Sequence, residues 1–228
     1  MSVEYLVPRK ADQVATPFLV VCEGMSDARF VCSLLKHKGI STCSVGCPSR
    51  EGLGSGSGVD GISGYLKAVR AISKGQTPSG ILIMIDADDC PQERFRCMTK
   101  ALKDAGFPAP EEPFSVEGGS FRVAIYLMPG KGRNGTLDCL LLEAALRKNP
   151  EMQRCIESFC DCTRSVRAWT ENQQCKMKLS AIVAASCQKN PWASAAIMWS
   201  QKENPVPIDS ECFREAGDFL TTFCAPIS

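Results

Sequence analysis

The sequence is poorest in histidine, with His37 alone, and no apolar run in its 228 residues is long enough to cross a bilayer. One imidazole cannot build a multi-histidine zinc centre, and beside Lys36 and Lys38 at a helix end it reads as a charge set against the helix dipole. The longest apolar stretches, such as Ile81 to Ile85 and Leu140 to Leu142, are core-sized, so no membrane association is expected. An excess of either charge is also missing: 26 Lys+Arg stand against 25 Asp+Glu, a formal net charge of +1. That balance argues against a protein that coats DNA without sequence preference, and any polyanion must be bound locally. Met1 to Lys10 lacks the apolar core of a signal peptide. None of the 14 cysteines forms a Cys-x-x-Cys pair, and Cys155, Cys160 and Cys162 have no adjacent histidine, which disfavours zinc. A reducing, cytoplasmic setting follows, with residues such as Cys22 and Cys32 acting as small buried hydrophobes.

What is present has the pattern of an α/β protein. Hydrophobic content of 44% and charged content of 22% suit a folded globular chain. Phe18-Leu-Val-Val-Cys22 is apolar throughout rather than alternating, as expected of a strand covered on both faces. Ser26 to Lys38 follows at helical spacing, with Gly39 as its stop. Ile40 to Cys47 predicts a second strand, a Gly/Ser-rich loop occupies Arg50 to Gly64, and a helix follows near Ile62 to Ser73. Gly80 to Ile85 predicts a third strand, Pro91 opens a helix to about Ala105, Gly106 to Ser120 reads as loop, and Phe121 to Met128 is a fourth strand. A basic glycine turn, Pro129 to Gly135, precedes a helix from about Thr136 to Lys148. The expected architecture is a central parallel, Rossmann-like sheet flanked by helices over residues 1–148, with a helical extension over 149–228 packed on the same domain. The extension is read as helices at Lys176 to Gln188 and about Ser210 to Phe223.

Acidic residues stand at informative positions. Glu23 ends one apolar strand, and Asp86 and Asp88 follow another. Ligands of parallel α/β sheets bind beyond the carboxyl ends of the strands, so these acids converge there. Carboxylates in oxygen-only company suit Mg²⁺ or Mn²⁺, and without a cation their repulsion would raise at least one pKa. Asp27, four residues beyond Glu23, falls on the first turn of the following helix, and Gly24 allows the reversal. Simpler readings stand beside these: Asp27 as a cap, and Asp86 to Asp89 as a polar turn before Pro91. Gly52 to Gly58 lacks the Gly-Lys-Ser/Thr ending of a phosphate loop and suits a loop over the acids better. Cys22 has no base beside it, which gives thiol catalysis little support.

The segment Glu23-Gly24-x-x-Asp27 after a strand, followed one βα unit later by Asp86-x-Asp88 after another, resembles the Toprim domain. Over roughly residues 16–148 the match is similar in its spacing to the OLD-family nucleases, and the whole chain resembles small free-standing Toprim-like proteins of unassigned function. The resemblance implies a Toprim-like sheet and a site completed by a hydroxyl residue and an acid two positions apart, here Thr136 and Asp138, with a later lysine, Lys176 or Lys178. It implies that Glu23, Asp27, Asp86, Asp88, Thr136 and Asp138 hold one or two Mg²⁺ or Mn²⁺ ions, with Glu23 and a lysine acting in catalysis. Asp138 stands where that family usually has glutamate. Locally, Thr136 and Asp138 also make a good helix start, and the two lysines an exposed helix face. The activity implied is a nuclease or phosphodiesterase acting on nucleic acid or nucleotide phosphate. A non-catalytic metal- or nucleotide-binding module that partners a separate ATPase is the alternative. No tyrosine is placed for topoisomerase chemistry, and the chain has no room for primase template-binding domains.

Overall fold

A computed structural model describes residues 16–48, 59–72, 78–164 and 168–225. The Gly/Ser loop at 52–58 and Tyr5 lie outside them. The order is β1 (Phe18–Cys22), α1 (Met25–His37), β2 (Cys43–Gly46), α2 (Val59–Ile72), β3 (Gly80–Asp86), α3 (Pro91–Asp104), β4 (Val116–Glu117), β5 (Arg122–Met128), α4 (Leu137–Lys148), α5 (Glu151–Thr163), α6 (Glu171–Ser186) and α7 (Arg214–Phe223). One five-stranded sheet has the order β2-β1-β3-β5-β4. All its pairings are parallel except β4 with β5. The fold is therefore α/β and Rossmann-like, as expected. The antiparallel β4 corrects the reading of Gly106 to Ser120 as loop alone: two residues are too few to show a strand period.

The direction in which strands are added across the sheet reverses about β1, because the crossover through α1 leads to β2 on one side and the crossover through α2 returns to β3 on the other. With right-handed crossovers that reversal puts α1 and α2 on opposite faces. The burial pattern agrees. Val20, Leu82, Ala124 and Tyr126 point to the face covered by α1, α4 and the C-terminal helices. Leu19, Ile81, Ile83 and Ile125 point to the face covered by α2 and α3. Both faces are dry, which is why these strands are apolar at every position. Full burial of each such side chain contributes roughly 1.5–3 kcal/mol.

The C-terminal helices share the first of these cores. Ile156, Leu179, Ile182, Phe213, Leu220 and Phe223 pack with residues of β1, β3 and β5, so residues beyond 148 complete the domain. Lys38 at the end of α1 reaches Asp218 of α7 at 3.0 Å. Helix α6 begins at Glu171 rather than near Lys176, because Thr170 and Gln173 form a reciprocal capping box. The last helix starts as a 3₁₀ turn, Glu211–Phe213, before α7. Cys43 and Cys224 are joined in a disulfide, which corrects the expectation of a uniformly reduced chain: α7 lies against β5 and α1 and delivers Cys224 to the start of β2. Cys22 and Cys32 are buried as expected. Among the described residues no helix is long and apolar enough to cross a membrane.

Candidate functional site

The reversal about β1 opens a crevice at the carboxyl ends of β1 and β3, the usual ligand position in such sheets. Cys22 is level with Met84, so Glu23 and Asp86 leave the sheet almost side by side. Gly24 is extended (φ −134°, ψ 173°) at the start of α1. Its contribution is space rather than a left-handed turn: a Cβ there would lie 3.0 Å from the Asp27 carboxylate. That closeness lets Asp27 Oδ2 accept the Gly24 N–H at 2.9 Å. The capping role of Asp27 is thus met, yet the residue is buried and faces Glu23 and Asp138. Burial is the largest cause that raises its pKa, from 3.8 to about 6, with repulsion by those acids added and the Gly24 bond opposing.

Asp86 is held from the other side. Its Oδ1 accepts the N–H of Leu137, the first residue of α4, at 2.7 Å. Burial pushes its carboxyl well above the ordinary range, helped by repulsion from Asp27, Glu23 and Asp88 and opposed by the Leu137 bond. Thr136 occupies the cap position of α4 but its hydroxyl makes no cap bond; it lies 3.6 Å from Cys139 Sγ. The strand-end aspartate takes over the helix N-terminus instead, a favourable place for an anion. Asp138, on the first turn of α4, has its pKa raised by burial and lowered by the nearby Lys176 ammonium. Lys178 points to the Cys175 side of α6 and has no described contact with the acids.

Asp88 stands in a left-handed conformation (φ 51°) and is fixed by paired backbone bonds with Gly135, at 2.8 and 2.9 Å. Those bonds staple the turn after β3 to the turn before α4, which is how the segments carrying Asp88 and Asp138 come together. Left-handed backbone is tolerated by aspartate more readily than by most side chains.

Sequence reasoning missed Arg94, in the first turns of α3. Its guanidinium pairs with Glu23, lies 3.3 Å from Asp88 Oδ2 and donates to the Asp86 carbonyl at 3.1 Å. A cation near a helix N-terminus opposes the dipole, so an arginine six positions after Asp88, in the first turns of the following helix, signals nearby acids. Asn172 and Cys139 were also missed. The Asn172 amide reaches Asp89 at 3.5 Å, and its oxygen lies 3.7 Å from Cys139 Sγ. A hydrogen bond from the Cys175 thiol is the largest cause that pushes the Cys139 thiol down to about 6. These contacts join elements distant in sequence and have no local signature.

The structure thus gathers Glu23, Asp27, Asp86, Asp88, Asp138 and Lys176, with Thr136 beside them. Among the described residues, however, no group of three or more histidine, cysteine, aspartate or glutamate side chains is arranged to hold a metal ion. Four of the five acids are instead turned toward other partners: Glu23 and Asp88 toward Arg94, Asp27 toward the Gly24 N–H, and Asp86 toward the Leu137 N–H. The donor chemistry still suits Mg²⁺ or Mn²⁺, because the set is carboxylate oxygen with a neighbouring hydroxyl. Burial and the neighbouring acids raise the proton affinity of Asp27 and Asp86 more than their backbone hydrogen bonds lower it, and a cation would stabilise their ionised forms.

No curated protein and no solved structure matches the chain. The family model described as "Protein of unknown function (DUF3226)" matches residues 17–224, from the start of β1 through α7 and across the boundary at 148, and the chain belongs to that family.

Proposed function

We propose that the protein is a metal-dependent phosphoryl-transfer enzyme, a Toprim/OLD-like nuclease or phosphodiesterase acting on nucleic acid or nucleotide phosphate. The observation that carries this reading is the convergence of Glu23, Asp27, Asp86 and Asp138 at the carboxyl ends of β1 and β3, where burial and mutual repulsion raise the proton affinity of Asp27, Asp86 and Asp138. Glu23, Asp27, Asp86 and Asp88 would hold Mg²⁺ or Mn²⁺, with Thr136 and Asp138 completing the set. When bound, the ion supplies Lewis acidity toward a phosphate oxygen. Lys176, already drawn toward Asp138, offsets charge gathering on the transferred phosphate, whereas Lys178 sits less well for that role. Arg94 neutralises Glu23 and Asp88 in their present arrangement, and its planar fork matches a phosphate as well as a carboxylate. We place this activity in the cytoplasm.

Arg94 also favours a second reading. An arginine paired with two of the acids neutralises the charge that would attract a metal, as a non-catalytic metal- or nucleotide-binding module partnering a separate ATPase would allow. Incubation of single-stranded, double-stranded and supercoiled DNA with Mn²⁺ tests both. The enzyme reading expects cleavage by the wild type and a loss on the order of a hundredfold in Asp86→Asn. Metal binding with no cleavage of any substrate favours the module, and absence of both binding and cleavage removes both readings.

A further inference from the structure

A second concave feature lies on the other flank of the α3 N-terminus, between α3, the segment before β4 and the glycine turn after β5. The cleft has a volume of about 390 Å³, inside the range of roughly 300–1,000 Å³ usual for small-molecule sites. Its wall is apolar and aromatic, built from Phe95, Pro113, Phe114 and Leu127, and its rim carries Gln92, Glu112 and Lys131. Phe114 is a bulky residue at φ 64°, a backbone region that such side chains rarely adopt. It is held there by its N–H bond to the Ile125 carbonyl at 2.9 Å, and its ring meets Tyr126 edge-on at 5.1 Å. The conformation places an aromatic side chain in the wall of an open cleft, where strained residues often serve a ligand.

The rim has the matching polarity. Arg133 is committed to Glu143 at 2.9 Å, whereas the exposed Lys131 ammonium makes no ion pair among the described residues. The Lys131 backbone N–H donates to Glu215 at 2.8 Å, which fixes the turn beneath its side chain. The same turn runs on through Asn134, whose amide lies 3.4 Å from the Asp89 carbonyl, and ends at Thr136. Flat aromatic walls, a side-chain amide and a free ammonium on a turn leading to the acids are the complement of a heterocycle that bears a phosphate.

We propose that this cleft is a nucleotide site: the base lies against Phe95 and Phe114, Gln92 meets its polar edge, and Lys131 holds the phosphate at the mouth. The inference rests on the phosphoryl-transfer reading only in taking the ligand to be a nucleotide, and it names the substrate class that the acidic site would share. Calorimetric titration of the full chain in chelator, with AMP, adenosine and ribose phosphate as probes, tests it without any metal. AMP should bind about tenfold or more tighter than ribose phosphate, the order of effect expected of base stacking. Phe95→Leu, which keeps the apolar packing and removes the ring, should bring AMP close to ribose phosphate. Lys131→Ala, at an exposed position, should weaken AMP and ribose phosphate by the same factor and leave adenosine unchanged. Equal affinity for AMP and ribose phosphate, or wild-type AMP affinity in both variants, overturns the proposal. Either result does so even if Mn²⁺-dependent cleavage is found, and base-selective binding supports the cleft even if no substrate is cleaved.

Discussion

The two ends of the sheet differ in kind. At the amino end, Arg122 donates to the carbonyls of Phe223 and Ala225 at 2.8 and 2.5 Å and lies over the Phe18 ring. Phe18 packs edge-on against Phe223, and the Cys43–Cys224 disulfide closes the same corner. Each of these groups has a partner, and the corner ties the last helix to the first strand. At the carboxyl end, acids crowd around one arginine and two backbone N–H groups, and burial works against their charge. Buried acids with raised proton affinity cluster at functional sites more often than elsewhere, so stability is concentrated at one end and the proposed chemistry is assigned to the other.

Four changes would sharpen or break that contrast. The largest is at the amino end: the disulfide spans 181 residues, and its loss by reduction or by Cys43→Ser should cost about 4 kcal/mol in denaturant unfolding. Metal affinity should stay unchanged; a parallel fall in metal affinity would show that the two ends are not independent.

Next is Asp27. Its folded pKa lies above its unfolded value, so its contribution to stability is fully present below about pH 4 and lost as pH rises through about 6. Without metal the wild type should lose on the order of 3 kcal/mol across that window, as Asp27 ionises against Glu23, Asp138 and Asp86. Unfolding curves of Asp27→Asn should be flatter there, and Mn²⁺ should restore wild-type stability above pH 6. A wild-type curve that rises with pH contradicts the account.

Arg94→Ala leaves Glu23 and Asp88 unpaired. It should lower metal-free stability by about 2 kcal/mol while increasing the stabilisation obtained from Mn²⁺, both read by thermal unfolding. Metal response equal to that of the wild type would mean that Arg94 does not compete for the acids. The smallest effect is expected from Arg122→Ala, about 1 kcal/mol of stability with no change in metal response.

Legibility in the sequence follows the same division by distance along the chain. Strands β1 and β3 are readable because five consecutive apolar residues end abruptly at an acid, α3 because Pro91 marks its start, and α1 from its helical spacing, although its cap is Gly24 rather than Ser26. The positions of Glu23, Asp27, Asp86 and Asp88 followed from those boundaries alone. Strand β4 was hidden because Val116–Glu117 is defined by its antiparallel partner rather than by its own pattern. The start of α6 is written in Thr170-x-x-Gln173, upstream of the lysines where the helix is expected. The Arg94–Glu23 pair, the Asn172–Asp89 contact and the Cys139–Cys175 contact join residues tens of positions apart, and only the folded chain reveals those partners. The same holds for the local bonds that turn each acid away from a common metal: one sequence pattern serves both a cap and a ligand.

Metal binding is the central claim, and calorimetric titration of Mn²⁺ into the wild type and Asp86→Asn tests it most directly. The account predicts saturable binding by the wild type at neutral pH, weakening as pH falls through about 6 where Asp27 takes up its proton, and a large loss in Asp86→Asn with the fold intact by circular dichroism. Identical titrations of the two proteins, or no heat in either, would contradict it.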